Sequence, residues 1–315
     1  MKVTVILCTY NRSQSLARAL ESVAQSVVPA TVDWEVLVVD NNSKDQTRGT
    51  VTQFCQTHVR RFRYLFEPKA GKSNALNAAL ENTDADVLAF MDDDVIVEPS
   101  WLENLVAPLA GEYYMGSGGR ILPQWTSVPP AWLPRQERYG LAPLAMFDLG
   151  DKEGELYEAP FGTNMAFRKA AFEKYGGFRA DLGPRPGSEI RNEDTEFGQR
   201  VLRGGEKLGY VPSAVVYHEV AERRLRKEYF LAWWFDKARA DVRQNGVPRR
   251  AQLLGVPLYL ARRLMVWSVR WMAALTPSSR FACKLKVWGL VGEIRECYRL
   301  SRSRELPANS SARPA

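Results

Sequence analysis

Asp92, Asp93 and Asp94 stand side by side directly after the apolar run Val87-Leu88-Ala89-Phe90-Met91. Adjacent carboxylates repel one another and lose solvation beside apolar surface, so the trio needs water or a cation to compensate it. A solvated acidic turn meets that need. So does a hard divalent cation such as Mn²⁺ or Mg²⁺, which takes one or two carboxylates and leaves its other positions to phosphate oxygens and water. Asp40 follows a second such run, Val36-Leu37-Val38-Val39, and can cap the turn at Asn41-Asn42 or accept hydrogen bonds from a base or ribose. Gly71-Lys72-Ser73-Asn74 opens a helix whose amides and ammonium suit a phosphate, although the full Walker spacing is absent. Glu193-Asp194 stands at another helix start. It reads as a simple acid pair, or as a base raised by its neighbour and lowered by the helix dipole.

The elements that must position these groups alternate. Val3–Cys8, Glu35–Val39, Arg63–Phe66 and Val87–Met91 read as strands, separated by helices with apolar residues at Leu16, Leu20, Val23 and Val27, from Thr47 to about His58, and over Ser73–Leu80. This order predicts an α/β fold: a mostly parallel nucleotide-binding sheet with helices on both faces, whose ligand crevice lies beyond the strand C-termini. Thr9-Tyr10-Asn11-Arg12, Asp40 and the Asp trio all fall on that rim. Residues 111–160 carry Pro123, Pro129, Pro130, Pro134 and Pro143 and few periodic runs, and read as irregular loops. After a helix that starts at Glu193 and ends before Gly204-Gly205, Lys207–Val211 and Val215–His218 read as two short strands.

The charge is divided unevenly. Residues 220–315 hold 20 Lys and Arg against 7 Asp and Glu, a net +13, whereas residues 1–219 hold 23 against 29, a net −6. Within the basic part, Leu258, Leu260, Leu264, Trp267, Trp271 and Leu275 recur at helical spacing, with Arg262, Arg263 and Arg270 on one side. Each Arg would cost about 2.5–3.5 kcal/mol at a bilayer centre, so a spanning helix is disfavoured. An interfacial helix, or one packed on the catalytic domain, fits better. The expected domains are a catalytic one at 1–220, a basic amphipathic helical region at 221–300 and a disordered tail at 301–315. Four scattered cysteines without metal spacing fit a reduced, cytoplasmic compartment, and the N-terminal run is read as a first strand rather than a signal peptide.

Taken together, Thr9-Tyr10-Asn11-Arg12, Val39-Asp40-Asn41-Asn42-Ser43-Lys44-Asp45, Ala70-Gly71-Lys72-Ser73-Asn74-Ala75-Leu76-Asn77, Phe90-Met91-Asp92-Asp93-Asp94 and Asn192-Glu193-Asp194-Thr195-Glu196-Phe197 resemble the family-2 glycosyltransferases over roughly residues 1–220. The resemblance implies a glycosyltransferase A-type fold, an inverting reaction, a UDP-, GDP- or dTDP-sugar donor and a divalent ion, Mn²⁺ or Mg²⁺. It assigns Asp40 to the base or ribose, Asp92 to the nucleotide and metal, Asp94 to the metal, and Asp194, beside Glu193, to the general base. Thr9, Tyr10, Asn11, Arg12, Lys72, Asn74 and Asp93 complete the donor side. Arg203 joins them through the diphosphate, and His218 is implied as a further metal ligand. Gly162-Thr163-Asn164 resembles the acceptor-side loop. Processive members carry Trp after Gln-x-x-Arg; here the chain reads Gln199-Arg200-Val201-Leu202-Arg203-Gly204, with Gly204 and no Trp after Arg203, which favours single-sugar transfer.

The expected acceptor is a glycan or a lipid-linked glycan in cell-surface polysaccharide or glycolipid synthesis, reached at the cytoplasmic membrane face through the C-terminal helices. Two other readings compete. A nucleotidyltransferase shares the carboxylate chemistry but releases pyrophosphate. A nucleic-acid-binding protein would use the basic region, yet recognised nucleic-acid motifs are missing, so no nucleic acid is expected.

Overall fold

The computed structural model describes residues 1–58, 61–130, 132–133 and 141–305, with backbone only at 303–305. Two compact units divide the chain, Met1–Leu225 and the residues from Arg226 onward.

In the first unit β1 (Lys2–Thr9), β2 (Asp33–Asp40), β3 (Phe62–Phe66) and β4 (Val87–Asp92) alternate with the helices Ser13–Ala24, Thr47–Thr57 and Lys72–Glu81. The four strands are parallel in the order β3-β2-β1-β4. Their continuous apolar runs are buried, as strands covered on both faces require. Beyond β4 the sheet becomes mixed. β5 (Val95–Val97), β6 (Gly116–Trp125), β7 (Gly154–Leu156), β8 (Asn164–Arg168) and β9 (Leu208–Val220) extend it to nine strands among the described residues, in the order β3-β2-β1-β4-β8-β6-β9-β5 with β7 also on β9. β8 runs antiparallel to β4 and β6, while β6 and β9 are parallel.

Two sequence expectations need correction here. The stretch 111–160 contains a ten-residue strand, β6, hidden by Gly116-Ser117-Gly118-Gly119. Glycine is disfavoured in strands for lack of a side chain to pack, but a Cβ at Gly119 would collide with the Ala214 carbonyl and the Asn164 amide, so close packing imposes it. The two strands expected at 207–218 are one, β9, whose pairing with β6 shifts register between Val211 and Val215, where Pro212 interrupts it.

Asn164 ties these strands together: it accepts from Trp101 Nε1 at 2.8 Å and donates to the carbonyls of Arg120 (2.9 Å) and Ala214 (2.8 Å). Asn164→Ala would leave two buried partners, Trp101 and the Ala214 carbonyl, and the half-buried Arg120 carbonyl unmatched. We expect a loss of about 3–5 kcal/mol in denaturant unfolding, since each buried orphan costs about 1–3 kcal/mol. A loss under about 1 kcal/mol would show that the strands hold without it.

The second unit contains the helices Lys227–Asn245, Leu258–Ala273 and Pro277–Glu305 and a short hairpin, Gln252–Pro257. Leu260 packs with Val242, Leu290 and Cys297. Fully buried Glu296 receives Arg239 at 3.1 Å, Arg243 at 2.6 Å and Arg299 at 2.6 Å, so part of the basic charge is spent inside the bundle. The last helix runs on through Glu305, past the start of the tail expected from composition; residues 306–315 lie outside those described.

Candidate active site

Strand register assembles the site. Thr9 pairs with Asp40 across β1 and β2, and Cys8 with Asp92 across β1 and β4, so three strand ends bring their polar residues into one row. Met91 pairs with Asn164, which brings Thr163 beside Asp92. Val95 pairs with His218, which brings that histidine, on β9, next to Asp94.

The three aspartates part company. Asp92 takes Lys72 Nζ at 2.6 Å and Thr163 Oγ1 at 2.6 Å, and although burial would raise its carboxyl, the Lys72 charge holds it down. Asp93 is buried, accepts Thr9 Oγ1 at 2.7 Å and Arg12 at 3.0 Å, and burial pushes it up to about 6. Asp94 meets Arg12 at 2.8 Å and Arg224 at 2.7 Å, with His218 Nε2 at 3.5 Å. Burial works against its charge, but the Arg224 and Arg12 guanidinium groups beside it hold it well below the usual carboxylate range. The repulsion that the sequence raised is thus compensated by three cations of the chain itself: Arg12, Lys72 and Arg224.

The remaining donor-side residues divide by role. Asp40 is buried at the end of β2, with Ser43 N at 2.8 Å and Tyr64 Oη at 2.8 Å on its two oxygens. Asn11, at φ 52°, joins the loops after β1 and β2: its amide reaches Ser43 Oγ at 2.9 Å and its Oδ1 takes the Lys44 amide at 2.7 Å. Tyr10 is exposed beside it.

The turn expected to cradle phosphate is otherwise occupied. Gly71 N donates to Asn41 Oδ1 at 2.7 Å, Lys72 N to the Pro184 carbonyl at 2.9 Å, and Asn74 Nδ2 to the Ala70 carbonyl at 2.9 Å, so these amides are satisfied internally and Lys72 Nζ faces carboxylates. Arg203 lies exposed in the last turn of its helix, 3.3 Å from Gln199.

Across from the row, the helix Glu193–Arg203 is anchored by fully buried Phe197, stacked on Phe172 with centroids 4.2 Å apart. Its first two residues face different surroundings. Asp194 is half-buried; its Oδ2 accepts Gly162 N at 2.6 Å and its Oδ1 accepts Thr195 N at 2.6 Å. A Cβ at Gly162 would stand 3.1 Å from Asp194 Oδ2, so glycine permits that approach. Glu193 points inward, 3.5 Å from Lys72. Gly162, Thr163 and Asn164 are all buried, and their polar groups support Asp194, Asp92 and the strand junction respectively. A continuous network therefore runs Thr163–Asp92–Lys72–Glu193 and ends next to Asp194.

Burial pushes Glu193 up to about 7 from its ordinary 4.5. A carboxyl raised in the folded state binds its proton more tightly than in the unfolded chain. That stabilisation is complete below 4.5 and is lost as pH rises through about 7. Glu193→Gln cannot ionise, so its stability relative to the native protein should rise across that window. Unfolding measured at a series of pH values checks this; a constant difference would mean that Glu193 stays ionised throughout.

The donor set can be tested against a divalent ion. Asp94 Oδ1 and His218 Nε2 are 3.5 Å apart. Two neighbouring ligands on an octahedral ion, each about 2.1 Å from it, stand about 3 Å apart. The pair fits with little movement. Among the described residues no group of three or more His, Cys, Asp or Glu is arranged around one point, so further ligands would come from a diphosphate and water, as hard cations favour. Sequence reasoning missed Arg224, which carries no motif; its one signal is its position six residues after His218.

This sheet, with its acidic row at the C-terminal edge of the parallel strands and a carboxylate facing it, is an α/β architecture that places its candidate ligand crevice beyond the strand C-termini. The model for the family named Glycosyl transferase family 2 matches residues 4–176, and the chain belongs to that family of glycosyltransferases. It is 27% identical over 249 residues to the glucosyl-dolichyl phosphate glucuronosyltransferase of Haloferax volcanii, covering 74% of this chain and 75% of that one. It is 27% identical over 234 residues to the succinoglycan biosynthesis protein ExoM of Rhizobium meliloti, covering 74% and 70%. In fold it resembles the mannosyltransferase PcManGT of Pyrobaculum calidifontis, solved with GDP-Man and Mn²⁺: TM-score 0.59, 20% identity, covering 99% of this chain and 76% of that one.

Proposed function

We propose that this protein is a metal-dependent, inverting glycosyltransferase that moves one sugar from a nucleotide-sugar to a glycan or lipid-linked acceptor in surface polysaccharide or glycolipid synthesis. The observation that carries this reading is the Asp94–His218 pair, with Asp94 two residues along the chain from Asp92, whose own network through Lys72 and Glu193 ends next to Asp194. Asp94 and His218 would hold the divalent ion, with Asp92 and Asp93 behind them, charge-compensated by Lys72 and Arg12. When bound, such an ion neutralises the leaving diphosphate as a Lewis acid. Asp40 and Tyr64 face the nucleoside. Asp194, aimed by the Gly162 amide, takes the proton from the acceptor hydroxyl as that oxygen attacks the anomeric carbon. One displacement with one base inverts the configuration. The relatives' names support the acceptor class: one is a glucosyl-dolichyl phosphate glucuronosyltransferase, another a succinoglycan biosynthesis protein. Single-sugar transfer is supported at Gly204, where any side chain would run into the Tyr175 ring.

The test is a panel of UDP-, GDP- and dTDP-sugars with Mn²⁺ or Mg²⁺, scored for nucleoside diphosphate release onto polyprenyl-phosphate-linked and free glycan acceptors. Release of pyrophosphate from nucleoside triphosphates instead would move the protein to the nucleotidyltransferases.

No helix among the described residues is long and apolar enough to cross a membrane. The helix Leu258–Ala273 is apolar on two sides. Of the periodic set, Leu260, Leu264 and Trp267 pack inward and Leu275 is exposed past the helix end, while Leu258 joins Met265 (63% exposed), Val269 (54%) and Met272 (67%) on a second, outward face flanked by Arg262, Arg263 and Arg270. That face, in a region of net +13, suits an anionic bilayer surface, which would set the enzyme on the inner, cytoplasmic side of the cell membrane. We expect co-sedimentation with anionic vesicles at low salt, lost in the double variant Met265→Glu, Val269→Glu. Equal recovery of both proteins in the pellet would exclude this face.

A further inference from the structure

One contact at the rim is not used by the proposed reaction, and the inference from it rests on the metal-dependent reading above. Arg224 lies in the single 3₁₀ turn Glu222–Leu225 that follows β9, with Leu225 buried beneath it. Its Nη2 donates to Asp94 Oδ2 at 2.7 Å and its Nη1 lies 2.7 Å from His218 Nε2. A guanidinium has no acceptor, so Nε2 must be accepting, and its lone pair points at Arg224. That is the lone pair which a metal-ligating imidazole uses. The same side chain also takes one oxygen of Asp94, the carboxylate that borders His218. Arg224 therefore satisfies the two groups that fit a divalent ion, and it cannot keep both contacts while they ligate one. Asp94 would not be left bare by its departure, because Arg12 holds the same Oδ2 at 2.8 Å.

We propose that Arg224 is a built-in competitor of the divalent ion: it occupies Asp94 and His218 until a nucleoside diphosphate offers its guanidinium another anion, so that metal and nucleotide bind cooperatively through its release. Linkage then requires the coupling to be reciprocal, each ligand tightening the other by one factor.

The probe is Mn²⁺ itself, with free Mn²⁺ followed by electron paramagnetic resonance for the native protein, Arg224→Met, Arg224→Lys and Arg223→Met, with and without UDP or GDP. Arg224→Met should bind Mn²⁺ alone about tenfold tighter, as expected for one charge-assisted contact removed, and the tightening brought by the diphosphate should shrink by a similar factor. Arg224→Lys should restore part of the competition. Arg223→Met, one residue away and exposed, measures the general effect of losing a nearby charge and should stay near the native value. A misfolded variant would lose affinity, so a gain cannot come from damage. Unchanged or weaker Mn²⁺ binding in Arg224→Met, or an equal gain in Arg223→Met, overturns the proposal while leaving the metal reading intact. Absence of Mn²⁺ binding in every protein, with and without diphosphate, overturns both.

Discussion

Asp194→Asn is expected to lower kcat by about 10²–10⁴-fold, the range that a positioned general base contributes, while leaving nucleotide binding almost unchanged. Asp194 makes its hydrogen bonds with the Gly162 and Thr195 amides, away from the carboxylates of the opposite row. The amide side chain keeps the shape and one acceptor oxygen but cannot take a proton. KM for the donor and donor-induced thermal shifts should therefore stay near native values. Parallel loss of donor binding would mean that Asp194 acts on the nucleotide and that the base lies elsewhere.

Asp94→Asn should have the larger effect on ligand-linked stability. A nucleoside diphosphate with Mn²⁺ at 100 times its dissociation constant should stabilise the native protein by about 2.7 kcal/mol, and the variant should show none of that metal-dependent part. The substitution also removes a charge facing Arg12 and Arg224. Breaking a buried pair from one side costs about 3–5 kcal/mol, so the variant should be less stable at neutral pH even without ligand. The sign with pH follows from the depressed carboxyl: its contribution is present above the ordinary carboxylate value of 3.8 and fades as pH falls below it. Native and variant should converge in acid. A variant that retains the full Mn²⁺-dependent shift would remove Asp94 from the metal site.

Much of the rim is legible in local pattern. The runs Val36–Val39 and Val87–Met91 identify buried strands because unbroken β-branched and aliphatic residues suit a sheet covered on both faces. Whatever follows them sits at the crevice, so the same pattern puts Asp40 and the Asp trio on the edge where the fold holds them. β6 escapes because the glycines that its neighbours demand are the residues that signal loops. Lys72, judged by its helix start, suits a phosphate. Its amide and ammonium are instead satisfied by Pro184, Asp92 and Glu193, from segments 20 to 121 residues away.

Local pattern specifies the strand and helix order, the edge on which the acids lie, the Glu193-Asp194 helix start and the basic C-terminal region. These depend on interactions within a few residues, where periodicity and charge are visible. Tertiary structure alone decided that His218 meets Asp94, through the antiparallel pairing of β5 with β9, and that Arg224 reaches both. It also decided which apolar face of Leu258–Ala273 is left uncovered. Each of those outcomes is set by register and packing between distant segments, and no local pattern encodes which cation a buried carboxylate will find.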